Sequence, residues 1–261
     1  MEIVVCIKQV PDTAAEIIPT PDGTAIRTEG IPWVMNPYDE YALEEALRIK
    51  ERLGGTVTAL CLGPESAAST LRTGAAMGAD NLVHLTDPAF EGSDPHAAAQ
   101  ALAAALRGMK CDLIWCGKLA VDDCSGYVGT ALAELLGLPH ISAVIKVELE
   151  AGKVVAHRET EAGTAVVSCP LPAVLTAEKG LNEPRYPKAL DIMKAKRKDL
   201  QTVTAADLGL SPDRVGAAGA LTRVTKFERP PERGGGRVIE APTAEAVEQL
   251  VAALRQEAKV L

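Results

Sequence analysis

Short apolar runs rich in β-branched side chains, at residues 3–7, 57–62, 81–85 and 113–116, alternate with Ala-rich amphipathic stretches over the first 140 residues. A run with no polar face belongs to a strand covered on both sides, so the alternation predicts an α/β fold, a mostly parallel sheet flanked by helices. After Pro139 the alternation stops. Residues 143–150, 153–160 and 163–169 read as consecutive strands, the first two joined by a turn at Ala151 and Gly152, which predicts a β meander added to the sheet.

The helices carry explicit start and stop signals. Asn36, Pro37, Tyr38 and Asp39 open the first: Asn caps, Pro takes the first turn without losing a hydrogen bond, and the carboxylate suits the positive end of the dipole. Leu43, Ala46, Leu47, Ile49 and Leu53 then share one face. A second helix follows Gly63 and Pro64 and runs to Met77, closing on Gly78. A third starts at Asp94 and Pro95 and runs to Leu106. A fourth covers residues 128–136, ending at Gly137 and Pro139, and residues 243–259 form a C-terminal helix.

Residues 171–198 read differently from the rest. An apolar strand passes into Gly, Pro and Asn, then into a basic cluster of Arg185, Lys188, Lys194, Lys196, Arg197 and Lys198 with Asp191 as its nearby counterweight. A core cannot absorb such charge unpaired, which predicts a surface arm that meets a partner. From 182 to 242 there is little periodicity, and an aperiodic stretch of that length predicts a tail that wraps something. The expected division is an α/β domain with its meander over 1–181 and a C-terminal arm over 182–261.

Lys and Arg total 27 against 35 acidic residues, a net charge of −8, which argues against nucleic acid as the main ligand. No apolar stretch is long enough to span a bilayer, and the chain opens on a strand without a basic leader, so the expected address is cytoplasmic, with no direct membrane insertion. Six cysteines scattered without a C-x-x-C pair are expected as free thiols.

Open α/β sheets bind ligands beyond their C-terminal strand ends, where helix N-termini offer free amides to anions. Loop-like junctions of this kind stand at residues 6–13, 62–66 and 117–129. The last combines Gly117, Lys118, Ser125 and Gly126 just before a helix; it is neither a Walker loop nor G-x-G-x-x-G, and its spacing fits a phosphate loop and a plain strand-to-helix turn alike. Asp122 and Asp123 point apart as neighbours and are expected in a solvated turn or helix cap. His84, His96, His140 and His157 lack ligand spacing and are expected in structural or surface roles. No G-x-S-x-G elbow supports a hydrolase.

The segments CIKQVPDT near the start, MNPYDEYALEEALRIKE (35–51), LRTGAAMGAD (71–80), GKLAVDD (117–123) and LPAVLTAEKGLNEPRYP…IMKAKRK resemble, in order and over almost the whole chain, the β subunit of electron transfer flavoprotein. The resemblance implies a Rossmann-like, adenine-nucleotide-binding fold in a heterodimer with an α subunit that holds the redox FAD at the interface. It implies an electron carrier without catalytic residues of its own. Such a carrier takes electrons from flavin dehydrogenases, such as those of fatty acid oxidation that act on acyl-CoA, and passes them to a quinone oxidoreductase. This subunit would hold AMP, or a second FAD in the electron-bifurcating, NADH-oxidising type.

Matched by position, the nucleotide contacts are Cys6, Asn36, Pro37, Tyr38, Asp39, Leu62, Gly117, Lys118, Leu119, Ala120, Val121, Asp122, Asp123, Cys124, Ser125, Gly126, Tyr127 and Val128, with Tyr38 also near the α-subunit flavin. The docking loop for dehydrogenases matches Leu181 as apolar anchor with Asn182, Glu183, Pro184, Arg185 and Tyr186, backed by Lys194, Lys196, Arg197 and Lys198. Leu119 and Tyr127 replace a common Gln, Cys124 an Asp, Ala162 a Gly and Ala165 a Glu, departures that leave AMP and FAD both open. A stand-alone nucleotide-sensing protein of similar architecture is the remaining alternative; it would leave the long tail without a surface to cover.

Overall fold

The computed structural model describes residues 1–231 and 234–261. In chain order the strands and helices are β1 (Glu2–Ile7), β2 (Gln9–Pro11), β3 (Trp33–Met35), α1 (Pro37–Leu53), β4 (Thr56–Leu62), α2 (Ala68–Met77) and β5 (Asn81–Leu85). They continue as α3 (Pro95–Arg107), β6 (Leu113–Gly117), α4 (Val128–Leu136), β7 (His140–Glu150), β8 (Lys153–Thr160), β9 (Gly163–Pro170) and β10 (Ala173–Ala177). The chain ends with α5 (Ala189–Ala195), β11 (Gln201–Val203), α6 (Gly216–Gly219) and α7 (Thr243–Gln256).

All strands except β2 and β3 join one 9-stranded sheet in the order β11-β5-β4-β1-β6-β10-β7-β8-β9. Pairing is parallel from β11 through β7, and β8 and β9 add the antiparallel meander. The chain leaves β1 toward β4 and β5 and then returns across α3 to pair β6 on the other side of β1. The sheet therefore reverses direction between β1 and β6, and a crevice opens at their C-terminal ends.

Alternate residues of each central strand feed opposite cores, which is why those strands read as unbroken apolar runs. Ile3, Val5 and Ile7 join Leu43 and Leu47 of α1 and Leu71 of α2 on one face. Val4, Cys6, Ile114 and Cys116 join Leu102 and Leu106 of α3 and Leu132 of α4 on the other. The helix signals were sound: Asp94 accepts the Ala97 amide at 2.9 Å with Pro95 behind it, and Gly137 ends α4 in the left-handed region at φ 65. The C-terminal helix stops at Gln256, three residues before the expected end.

The segment beyond β10 folds back over its own domain. Asn182 donates to the Tyr41 carbonyl at 3.0 Å, Arg48 to the Glu183 carbonyl at 3.1 Å, and Arg185 pairs with Glu44 at 2.8 Å and Glu51 at 2.5 Å. Arg72 of α2 donates to the carbonyls of Ala195, Lys196 and Lys198, closing the end of α5, and Lys198 donates to the Ala79 carbonyl. β11 then extends the sheet beside β5.

Two expectations change as a result. Arg185 is not part of a free basic patch, since two α1 carboxylates neutralise it. Leu181, matched as the apolar anchor of a docking loop, is half-buried against the core of the α1 face. Between residues 182 and 198 the large apolar side chains that reach solvent are Tyr186 (95 %), Leu190 (70 %), Met193 (65 %) and Ile192 (44 %).

Glu44 is buried, which alone would raise its carboxyl, but the guanidiniums of Arg185 and Arg48 hold it below the usual range; Arg185 lowers Glu51 likewise. A depressed carboxylate contributes stability that is present above its unfolded value near 4.5 and is lost as pH falls through the folded value. Arg185→Ala should cost about 2 kcal/mol at neutral pH, with Arg48 left as partial partner. The stability difference from wild type should shrink as pH falls below about 4.5. Urea midpoints at pH 7 and pH 4 check both; equal losses at the two pH values would contradict the pairing.

Candidate functional site

At the β1/β6 reversal the C-terminal strand ends and the starts of α3 and α4 enclose a cleft of about 840 Å3, counted out to its open mouth. Its floor is Cys6, Ile7 and Cys116. Its walls come from Asn36, Asp39 and Leu62 on one side, from Ser93, Asp94, Pro95, Ala98 and Leu102 on the other, and from the loop that leads into α4.

That loop is held from behind by the start of α1. The Asn36 side chain donates to the Leu119 carbonyl at 2.9 Å and accepts the Val121 amide at 3.2 Å. Asn36 occupies the N-cap of α1 as expected, yet makes no side-chain cap bond: its amide group is spent on the loop. Asp39 departs from expectation in the same way. Buried in the first turn of α1, its two oxygens accept the Lys8 amide at 2.7 Å and the Gly117 amide at 3.0 Å, joining the ends of β1 and β6. Burial pushes this carboxyl up to about 7, against the pull of Asn36 and the two backbone amides.

Gly117 must be glycine for this junction to close. A Cβ there would stand 2.7 Å from Tyr38 Cβ and 2.9 Å from the Tyr38 backbone carbon, and closer still to Asp39 Oδ1. Gly129 is fixed in the same way, with 2.5 Å to Thr176 Cγ2. In between, Cys124 (φ 52) and Gly126 (φ 60) take the left-handed region that lets the loop reverse before α4.

Lys8 offsets part of the negative charge of the loop. Its ammonium lies 2.8 Å from Asp122 and 3.1 Å from Asp123. Partial burial opposes the Lys8 charge, but the pairing with Asp122 and then Asp123 outweighs it and raises its pKa. Asp123 also accepts the Ser125 amide at 2.9 Å, so the two acids stand in a turn but do not point apart as expected: both converge on Lys8. Among the described residues no cluster of His, Cys, Asp or Glu is placed to hold a metal. Lys118, also in the lining, pairs with the buried Glu178 at 2.5 Å; that bond to Glu178 raises its pKa. Among the described residues no acceptor takes the amide protons of Gly126, Tyr127 and Val128. They stand at the start of α4, where the helix dipole favours an anion.

Of the residues singled out in the sequence, Cys6, Asn36, Asp39, Leu62, Gly117, Lys118, Leu119, Ala120, Asp123, Ser125, Gly126, Tyr127 and Val128 converge on the cleft. Pro37, Tyr38, Val121, Asp122 and Cys124 lie outside its lining. Pro37 begins α1, Tyr38 meets Tyr41 edge-on, and Cys124 is exposed. Ile7 and Lys8 lie within the junction marked at residues 6–13 but were not singled out, and Cys116, just before the marked 117–129 segment, was missed; so was the start of α3, whose Asp94 and Pro95 read only as a helix cap. The remaining residues of the arm, from Leu181 through Lys198, are remote in sequence from this cleft and contribute nothing to its lining.

Among the described residues every cysteine is free, and no helix is long and apolar enough to cross a membrane. His84 is buried with its ring bonded to the Gly63 carbonyl, a structural role as expected.

The electron transfer flavoprotein domain is the family whose model matches this chain, over residues 24–208. The electron transfer flavoprotein subunit beta of Thermoanaerobacterium thermosaccharolyticum is 41% identical over 252 residues, 96% of each chain. That of Bacillus subtilis is 39% identical over 263 residues, covering 100% of both. The caffeyl-CoA reductase-Etf complex subunit CarD of Acetobacterium woodii is 39% identical over 259 residues, 98% of each.

Proposed function

The chain belongs to the electron transfer flavoprotein family as a β subunit, and from that premise we propose that it works as the non-catalytic half of an electron carrier. It binds an α subunit, helps wall an FAD at their interface, and holds AMP in its own cleft. Electrons come from flavin dehydrogenases, among them those that oxidise acyl-CoA, and leave to a quinone oxidoreductase, in the cytoplasm. The FAD supplies the electron chemistry when bound; this chain supplies position and surface.

The observation that carries the nucleotide part is the row of amides of Gly126, Tyr127 and Val128 opening into a cleft at the sheet's reversal point. The lining fits the group: glycines allow close backbone approach, the helix start attracts a phosphate, and Lys8 offsets part of the charge of the loop's own acids. Residues 182–261 act as the clasp on the α subunit. No residue of α7 is buried, while Val247, Leu250, Val251 and Leu254 recur at helical spacing on one face.

Leu190 and Met193, exposed on α5 amid Lys194, Lys196 and Arg197, take the docking role that sequence matching gave to Leu181. The double change Leu190→Asp, Met193→Asp should slow flavin reduction by an acyl-CoA-reduced dehydrogenase by about 10- to 100-fold, with flavin content unchanged. Leu181→Ala should instead lower stability. Unimpaired reduction in the double variant would remove α5 from docking.

The functional test is anaerobic mixing of the αβ heterodimer with reduced acyl-CoA dehydrogenase or with NADH, followed by flavin absorbance. Reduction by the dehydrogenase and not by NADH is expected; rapid reduction by NADH would replace the carrier with the bifurcating type.

A further inference from the structure

Tyr127 stands where the cleft meets solvent. Gly126 turns the chain at φ 60, and Tyr127 then takes the N-cap position of α4, so its ring projects from the helix start toward α3. Its hydroxyl lies 3.0 Å from His96 Nδ1, with ring centroids 6.2 Å apart. His96 is firmly placed, as the second residue of α3 behind Pro95. Asp94 anchors that start on two sides: one oxygen accepts the Ala97 amide at 2.9 Å, and the other accepts the amides of Leu221 and Thr222 at 2.9 and 2.8 Å. The Tyr127–His96 pair thus ties the start of α3 to the start of α4 across the lip of the cleft.

We propose that this pair is a bar that sets the length of the nucleotide the cleft accepts, admitting a mononucleotide and rejecting one extended beyond its first phosphate. The inference rests on the nucleotide reading of the cleft given above. A phosphate held by the amides of Gly126, Tyr127 and Val128 is brought against the backbone of Tyr127 itself. Whatever is esterified to that phosphate then meets the Tyr127 ring, which lines the cleft and is braced by His96 at 3.0 Å. Selectivity by obstruction requires such a rigid element against the wrong ligand, and needs no better contact with the right one.

The experiment uses the αβ heterodimer exchanged against an equimolar excess of AMP, ADP and FAD, desalted, and extracted for chromatography of the retained nucleotides. Wild type should retain AMP in preference to ADP, with FAD at one per heterodimer. Tyr127→Gln and His96→Ala should each raise the retained ADP:AMP ratio by about tenfold, since loss of either partner opens the bar. An unchanged ratio in both variants, or a loss of AMP and ADP alike that marks Tyr127 as a stacking surface, would overturn the bar. Wild type that keeps ADP or a second FAD as readily as AMP overturns it too, while leaving a nucleotide in the cleft. Retention of none of them beyond the single FAD overturns the nucleotide reading, and the bar with it.

Discussion

Gly117→Ala is expected to destabilise the protein by about 3 kcal/mol and to strip the cleft of its nucleotide. The added Cβ would meet Tyr38 Cβ at 2.7 Å and the Tyr38 backbone carbon at 2.9 Å, and crowd Asp39 Oδ1 harder still. The Tyr38 atoms lie at or next to the backbone, and the Asp39 carboxylate is held at both oxygens. Tyr38 and Asp39 lie in the first turn of α1, and Asp39 is tied to Lys8. Relief therefore means moving α1 away from β6, which breaks the Asp39 bond to the Gly117 amide and loosens the grip of Asn36 on the loop. A buried amide left unpaired costs about 1–3 kcal/mol, and the strain adds to it. Urea unfolding with nucleotide analysis of the purified heterodimer reads both effects. An unshifted midpoint with full nucleotide content would show that the junction is looser than its geometry.

The other large effect is on occupancy and not on the fold. Ser125→Glu places a carboxylate at the cleft beside the amides that would receive phosphate, where Lys8 is already committed to Asp122 and Asp123. Like charges in a partly desolvated site repel by several kcal/mol, so nucleotide retention should fall by at least about 100-fold. Ser125 is exposed, so the chain should still fold. It should lose only the stabilisation that the ligand provides, about 2.7 kcal/mol at a ligand concentration 100 times its Kd, and added nucleotide should no longer raise Tm. Full nucleotide content in this variant would move the site away from the loop before α4.

Legibility in the sequence followed the range of the interactions. β1, β4, β5 and β6 were plain because burial on both faces forces a local pattern, and α2, α3 and α4 were plain because Pro, Asp and Gly sit at their ends. The floor and loop of the cleft follow from that topology, since strand ends are known once strands are. What could not be read were pairings between distant residues. Asn36 and Asp39 look like ordinary first-turn residues until β1 and β6 are placed beside them, and then both prove to hold the segment that runs from β6 toward α4. Arg185 looks like solvent-exposed charge until α1 brings Glu44 and Glu51 to it. Leu181, half-buried, and Leu190, exposed, have the same side chain, and only the course of the backbone over α1 separates their surroundings. β11 is too short for a period to register, and it is a strand because β5 has an open edge for it.

The central claim is that this β subunit joins an α subunit and holds an adenine mononucleotide where the sheet reverses between β1 and β6. It is tested most directly by purifying the heterodimer without added nucleotide, denaturing it, and quantifying what is released. One FAD and one AMP per heterodimer are expected. A single FAD with no AMP, or two FAD per heterodimer, would contradict the account.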